Sequence, residues 1–166
     1  MGGFVKSGGQ MPTELELDHF FWNAISTNVA FQSWFLVKTK FAGRNLELVT
    51  DELWHQRWYR DPVTGKDSEG DILLMFRDPE TSERYAIHIE NKPGHRIWEP
   101  LQAENYRKRA ANRMREWQYI DFQLVLIAPR AFIERSAREC EYFDITISYE
   151  DIATFVPAFA PGLAGC

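Results

Sequence analysis

The sequence predicts an α/β domain in which a central mixed β-sheet is flanked by helices, with its elements in α-β-β-α-β order. Three observations carry that expectation. An amphipathic helical pattern follows Thr13, two strand-like runs flank a turn at Asp78-Pro79, and a polar helical stretch later leads into an apolar strand at Phe122–Ala128. Runs joined by a short turn pair antiparallel, whereas strand, helix and strand in succession pair parallel through a right-handed crossover.

The opening helix is expected from about Glu14. Thr13 and Glu16 form a Thr-x-x-Glu capping pattern, and Leu17, Phe20, Phe21, Ala24 and Ile25 recur at helical spacing. Asn28 interrupts, and Phe31, Trp34 and Phe35 carry a second stripe to about Lys40, so the region is one broken helix or two. Trp54 to Tyr59 suits a short strand, closed by a turn at Asp61-Pro62 and Thr64-Gly65. Asp71 to Phe76 reads as a buried strand. From Tyr85 to Lys92 the alternation puts Tyr85, Ile87 and Ile89 on one face and His88, Glu90 and Lys92 on the other. After Pro100 a polar helix is expected over Leu101–Tyr119, then a buried strand over Phe122–Ala128 and an edge strand over Phe143–Ser148. A last helix, capped by Ser148, takes in Ile152, Phe155 and Val156 before Pro157.

With 166 residues, 45% of them hydrophobic and 14% aromatic, the chain suits one domain with a true core. The expected division is a flexible leader over 1–12, a single domain over 13–160 and a tail over 161–166. Apolar runs such as Leu124–Ala128 fall far short of the roughly 20 residues of a membrane-spanning helix. Cys140 and Cys166 make no metal-ligand spacing, and a reducing cytoplasm is the expected setting. A net charge of −5 argues against coating nucleic acid by bulk electrostatics, so any such contact must be local.

The chemistry-bearing segment runs from Gly70-Asp71 through a strand, a turn and a second strand ending Ile89-Glu90-Asn91-Lys92. Residues two apart on a strand share a face, so Glu90 and Lys92 project together, and the adjacent strand can bring Asp71 beside them. Paired carboxylates on neighbouring strands offer hard oxygen ligands of the kind Mg²⁺ takes while keeping several waters, and Mn²⁺ is expected to substitute. Such a metal polarises a phosphoryl oxygen and acidifies water, while Lys92 orients the water and offsets developing charge. The plainer alternative is a solvated Glu90–Lys92 pair beside a turn-capping Asp71, since Glu-x-Lys alone is common.

These residues resemble the PD-(D/E)xK nuclease superfamily, whose fold is called restriction-endonuclease-like. The likeness rests on Gly70-Asp71 and the following strand, on Ile89-Glu90-Asn91-Lys92, and on Gln102-Ala-Glu-Asn-Tyr106-Arg107, which is similar to a pattern in several members. It covers roughly Leu15 to Ile127. Gly70 stands where the family has proline. The resemblance implies that Asp71 and Glu90 bind the divalent metal, that the Asn91 carbonyl is a further ligand, and that Lys92 is catalytic. It also implies that the Gln102 amide contacts the lysine or the attacking water. A helix-borne acid often completes such sites; Glu14, Glu16 and Asp18 all lie near the helix start, and Glu16 is favoured although it serves equally well as a cap.

Gln102, Tyr106, Arg109 and Arg113 follow at spacings of 4, 3 and 4, so one helix face, with neighbouring Arg107, is expected to look toward a phosphate backbone. A solvated basic face is the competing reading for Arg113. Trp54, Trp58 and Tyr59 read as a satellite hydrophobic cluster rather than a base-stacking platform, and His88 and His95 as surface or supporting residues. The functional expectation is a Mg²⁺-dependent DNA endonuclease with a defence or repair role. A homodimer or a larger complex could add affinity for DNA. The rival expectations are a catalytically inactive nuclease-fold module that binds nucleic acid or a protein partner, and a structural protein whose charged faces make protein contacts.

Overall fold

The computed structural model describes residues 12–60, 65, 67–99 and 101–160, of which 56–60 and 67–70 are described by their backbone alone. The expected leader, apart from Pro12, and the expected tail lie outside the described residues. So does the turn expected at Asp61-Pro62, of which only Gly65 is described, in the left-handed conformation (φ 67°) that glycine adopts without strain.

Helix α1, Glu14–Thr27, starts on a complete capping box. Thr13 Oγ1 accepts the Glu16 N–H at 3.2 Å, and Glu16 Oε2 accepts the Thr13 N–H at 2.9 Å. Asn28 then ends α1 and caps α2, Val29–Val37, by accepting the Phe31 N–H on Oδ1 at 3.1 Å. The broken stripe is therefore two helices. Their buried faces, with Phe21, Ile25, Phe31 and Phe35 wholly withdrawn from water, press on one side of the sheet. Each such side chain stabilises the fold by roughly 1.5–3 kcal/mol.

Among the described residues the sheet has six strands: β1 (Glu47–Leu48), β2 (His55–Arg60), β3 (Asp67–Arg77), β4 (Arg84–Asn91), β5 (Asp121–Ala128) and β6 (Ile145–Ser148). β3 pairs antiparallel with β4, and also with both β1 and β2, while β4–β5 and β5–β6 are parallel. The sheet is thus mixed, as expected, with β6 on its edge. At the β3–β4 turn the Asp78 carboxylate accepts the N–H groups of Glu80 and Thr81 at 2.8 and 3.1 Å.

Helix α3, Gln102–Arg113, crosses from β4 to β5 on the opposite face. It is shorter than the expected Leu101–Tyr119. Gln118 takes a left-handed φ of 57°, and the Tyr119 hydroxyl turns back to donate to the Ala110 carbonyl. Tyr119 thereby joins Leu73, Met75 and Ala86 in a small core that a continuing helix would leave open. Two short helices unforeseen in the sequence, α4 (Arg130–Arg135) and α5 (Ala137–Cys140), cover Leu124, Leu126 and Ala128 together with α3. The closing helix α6, Tyr149–Ile152, is brief, and a 3₁₀ turn follows at Pro157–Phe159. Helices lie on both faces, giving three layers. Among the described residues no helix is long and apolar enough to cross a membrane.

Candidate active site

The β3–β4 ladder ends at Ile72 opposite Ile89, while β4 stays paired with β5 through Asn91 and Ile127. The strands part at this end, and Asp71 Oδ2 accepts the Asn91 N–H at 2.7 Å in place of a backbone carbonyl. The fork therefore aims the Asp71 carboxylate at the segment that carries Glu90 and Lys92.

Glu90 is buried and fully engaged. Its Oε1 lies 3.0 Å from Lys92 Nζ and accepts from Gln102 Nε2 at 3.3 Å, and its Oε2 accepts from the Tyr106 hydroxyl. Gln102 Oε1 in turn accepts from Lys92 Nζ at 3.1 Å, so the amide bridges both ends of the ion pair. The lysine ammonium also lies 5.1 Å from the centroid of the Trp98 ring. A buried charge pair is retained only when hydrogen bonds satisfy its remaining lone pairs and protons, and Gln102 and Tyr106 supply them. Burial, followed by the Glu90 and Asp71 charges, pushes the Tyr106 hydroxyl well above its ordinary range and keeps it a donor.

The first helix contributes Asp18. It is 3% exposed, although it lies in the stripe of Leu17, Phe21 and Ile25 that α1 turns inward. Asp18 Oδ1 accepts from Asn91 Nδ2 at 2.6 Å, Asp18 Oδ2 lies 3.0 Å from His55 Nε2 on β2, and the Tyr149 hydroxyl donates to Asn91 Oδ1. Burial is the main reason the Asp18 carboxyl is pushed up to about 7, opposed by the Asn91 hydrogen bond and reinforced by the Glu14 and Glu90 charges. Asp71 is likewise raised well above the carboxylate range, first by burial and then by the Glu90 and Asp18 charges. Glu90 thus lies beside Lys92, Asp71 is held at the Asn91 N–H, and Asp18 reaches the same residue through its side chain.

Glu16, the acid favoured from the sequence, lies at the helix start in its other expected role. Its carboxylate closes the capping box with Thr13, two positions before the acid that the helix turns inward. Tyr106, expected on a nucleic-acid face, instead points into the protein, because buried Glu90 takes its hydrogen. The arginines of α3 are engaged within the chain. Arg107 pairs with Asp144, Arg109 lies 4.1 Å over the Tyr106 ring, and Arg113 pairs with Glu116. His88 contacts the Tyr119 hydroxyl at 3.2 Å in the small core. Of Trp58 and Tyr59 only the backbone is described; Trp54 stacks on Trp22 with centroids 4.7 Å apart.

From the sequence Asp18 is one of three candidates for the first-helix acid, with Glu16 preferred over it, and His55 and Tyr149 are not among the expected site residues. The available signal was an acid inside an apolar helical stripe, three residues before Phe21 and seven before Ile25.

Among the described residues, no three His, Cys, Asp or Glu side chains form a ready metal-ligand set. Asp71 and Glu90 supply the carboxylate oxygens that could hold a hard divalent cation of the kind that keeps its waters. Asp71 and Glu90 project from paired strands and the Glu90 charge helps to raise the Asp71 carboxyl, and a buried carboxylate pair of this kind accommodates either a proton or a cation. A cavity of about 310 Å³, lined by Trp98, Gln102, Arg138 and Tyr142 among others, borders Gln102. No protein-family model matches the chain, and no curated protein sequence matches it.

Proposed function

We propose that the protein is a metal-dependent nuclease with a restriction-endonuclease-like core, hydrolysing phosphodiester bonds in DNA. The observation that carries this reading is the meeting of Asp71 and Glu90 from adjacent strands beside Lys92, with Asp18 arriving from the first helix. Asp71 and Glu90 would hold Mg²⁺ or Mn²⁺, and the bound ion would supply electrophilic polarisation of the phosphate and a more acidic water.

The chain's own groups do the rest. Lys92 presents a cation where negative charge grows on the phosphoryl oxygens, and Gln102 keeps its ammonium directed by accepting one of its hydrogens. Tyr106 fixes one Glu90 oxygen and Gln102 the other, so Glu90 is held without a search among rotamers. Asp71 is held by the Asn91 N–H at the fork. With a net charge of −5 and the α3 arginines engaged internally, affinity for DNA is proposed to come from a second copy of the chain or from a partner.

One observation favours a second reading. Both Glu90 oxygens and the Lys92 ammonium are satisfied by protein groups, as they would be in a nuclease fold that has kept its frame without chemistry. Incubating the protein with linear, circular and single-stranded DNA, and with RNA, in Mg²⁺, Mn²⁺ or chelator separates the two. The nuclease reading expects metal-dependent cleavage that Lys92→Ala abolishes. No cleavage under any condition would assign the fold to binding, and equal cleavage by Lys92→Ala would overturn the catalytic assignment of this site.

A further inference from the structure

The residue between Glu90 and Lys92 faces the other side of the sheet, and we infer that the Asn91 side chain, locked by Tyr149, is the positioning residue that sets Asp18 in the carboxylate cluster. The inference rests on the nuclease reading for its effect on metal binding and turnover, and on geometry alone for its effect on Asp18.

Alternation along β4 sends Glu90 toward α3 and Asn91 toward α1 and α6. The Asn91 side chain is wholly buried there. A buried primary amide has two donor hydrogens and a carbonyl to satisfy, and each end of this one meets a single kind of partner. Asn91 Nδ2 can only donate, and it faces Asp18 Oδ1 at 2.6 Å. Oδ1 then faces Tyr149, whose hydroxyl must donate. A phenol carries its proton at ordinary pH, and this one has the Asn91 carbonyl oxygen as its acceptor. When Asp18 is ionised, turning the amide over would set two acceptors against each other.

The backbone of the same residue holds Asp71 through its N–H at 2.7 Å. Asn91 therefore ties down two acids at once, one by its main chain and one by its side chain, and its side-chain length sets how far Asp18 stands from the Asp71 anchor. His55 Nε2 meets the second Asp18 oxygen at 3.0 Å, which leaves the carboxylate little freedom to rotate. In this chain the middle position of Glu-x-Lys is part of the machinery that orients the site. A bare tether between α1 and α6 is the alternative. Such a tether stabilises the fold, but its loss adds independently to the loss of Asp18.

The test uses the full chain with Tyr149→Phe, Asn91→Ala and Asp18→Asn, alone and combined. In metal-free protein the Asp18 carboxyl-carbon resonance, assigned by its disappearance in Asp18→Asn, is expected to move in Tyr149→Phe. In calorimetric titration with Mn²⁺, Tyr149→Phe and Asn91→Ala are each expected to weaken binding about 10–100-fold, and kcat for DNA cleavage should fall with KM unchanged. Combined with Asp18→Asn, neither should weaken binding beyond Asp18→Asn alone. Tyr149→Phe removes one oxygen and carries the test if Asn91→Ala fails to fold. A resonance that stays in place, or losses that multiply in the double variants, overturns the inference. Wild-type protein that neither binds Mn²⁺ nor cuts nucleic acid overturns the nuclease reading instead, and the resonance still decides the positioning.

Discussion

Lys92 Nζ stands 3.0 Å from Glu90 Oε1 with both side chains nearly withdrawn from water, 9% and 2% exposed. Removing one partner of such a pair leaves an uncompensated buried charge, which typically costs about 3–5 kcal/mol. Lys92→Ala is therefore expected to lower the urea midpoint markedly. Lys92→Ala with Glu90→Gln should regain part of that loss, because no lone charge remains. Neither variant should cleave DNA. Unfolding curves for the single and double variants check the first expectation, and cleavage assays under conditions where both are folded check the second.

Asp18 gives stability a pH dependence whose direction can be worked out. Its carboxyl is raised from 3.8 to about 7, so between those values the folded chain binds more protons than the unfolded chain. Stability contributed by this group is full below about pH 4 and is lost as pH rises toward about 7, the whole shift amounting to about 4 kcal/mol. Glu14 and His19 on its own helix, His55 on β2, Asp71 on β3 and Glu90 on β4 are the neighbours that set the slope. Asp18→Asn should flatten the profile over that window. Melting temperatures in chelator from pH 4 to 8 measure it.

Glu16 and Asp18 separate cleanly. Glu16→Gln keeps a capping side chain, and Glu16→Ala costs at most about 1 kcal/mol, so both should cleave DNA at the wild-type rate. Asp18→Asn should lose at least tenfold in kcat while remaining folded. Equal rates for Asp18→Asn and wild type would remove Asp18 from the site.

Divalent cations should stabilise the protein in proportion to occupancy. At 100 times its dissociation constant, Mn²⁺ is expected to add about 2.7 kcal/mol, seen as a rise in melting temperature that chelator reverses. Asp71→Asn should abolish that rise, because a neutral amide cannot replace a carboxylate ligand. A variant that still responds fully to Mn²⁺ counts against Asp71 as a ligand.

The β3–β4 hairpin and the placement of Glu90 beside Lys92 were legible because strand alternation has a period of two, leaving only one choice of face. The third acid was only narrowed to three candidates. Which of Glu14, Glu16 and Asp18 turns inward depends on how α1 rotates about its axis, and that rotation is decided by the packing of Leu17, Phe21 and Ile25 against the sheet. The end of α3 was hidden for a similar reason. The polar composition of Leu101–Tyr119 suits a helix throughout, and only the small core around Leu73 and Met75 draws Tyr119 out of it. The fates of the arginines were beyond reach, since Arg107 finds Asp144 from across the crossover.

The acids of the cluster come from α1, β3 and β4, and the groups that steady them come from β2, α3 and α6. No contiguous stretch of the chain holds the set. A half-made chain leaving the ribosome, or a proteolytic fragment keeping Asp71 through Lys92, carries the motif without its chemistry. Under the nuclease reading, destructive capacity is thereby withheld until the last helix has docked, and degradation extinguishes it with the first cut that frees α1 or α6.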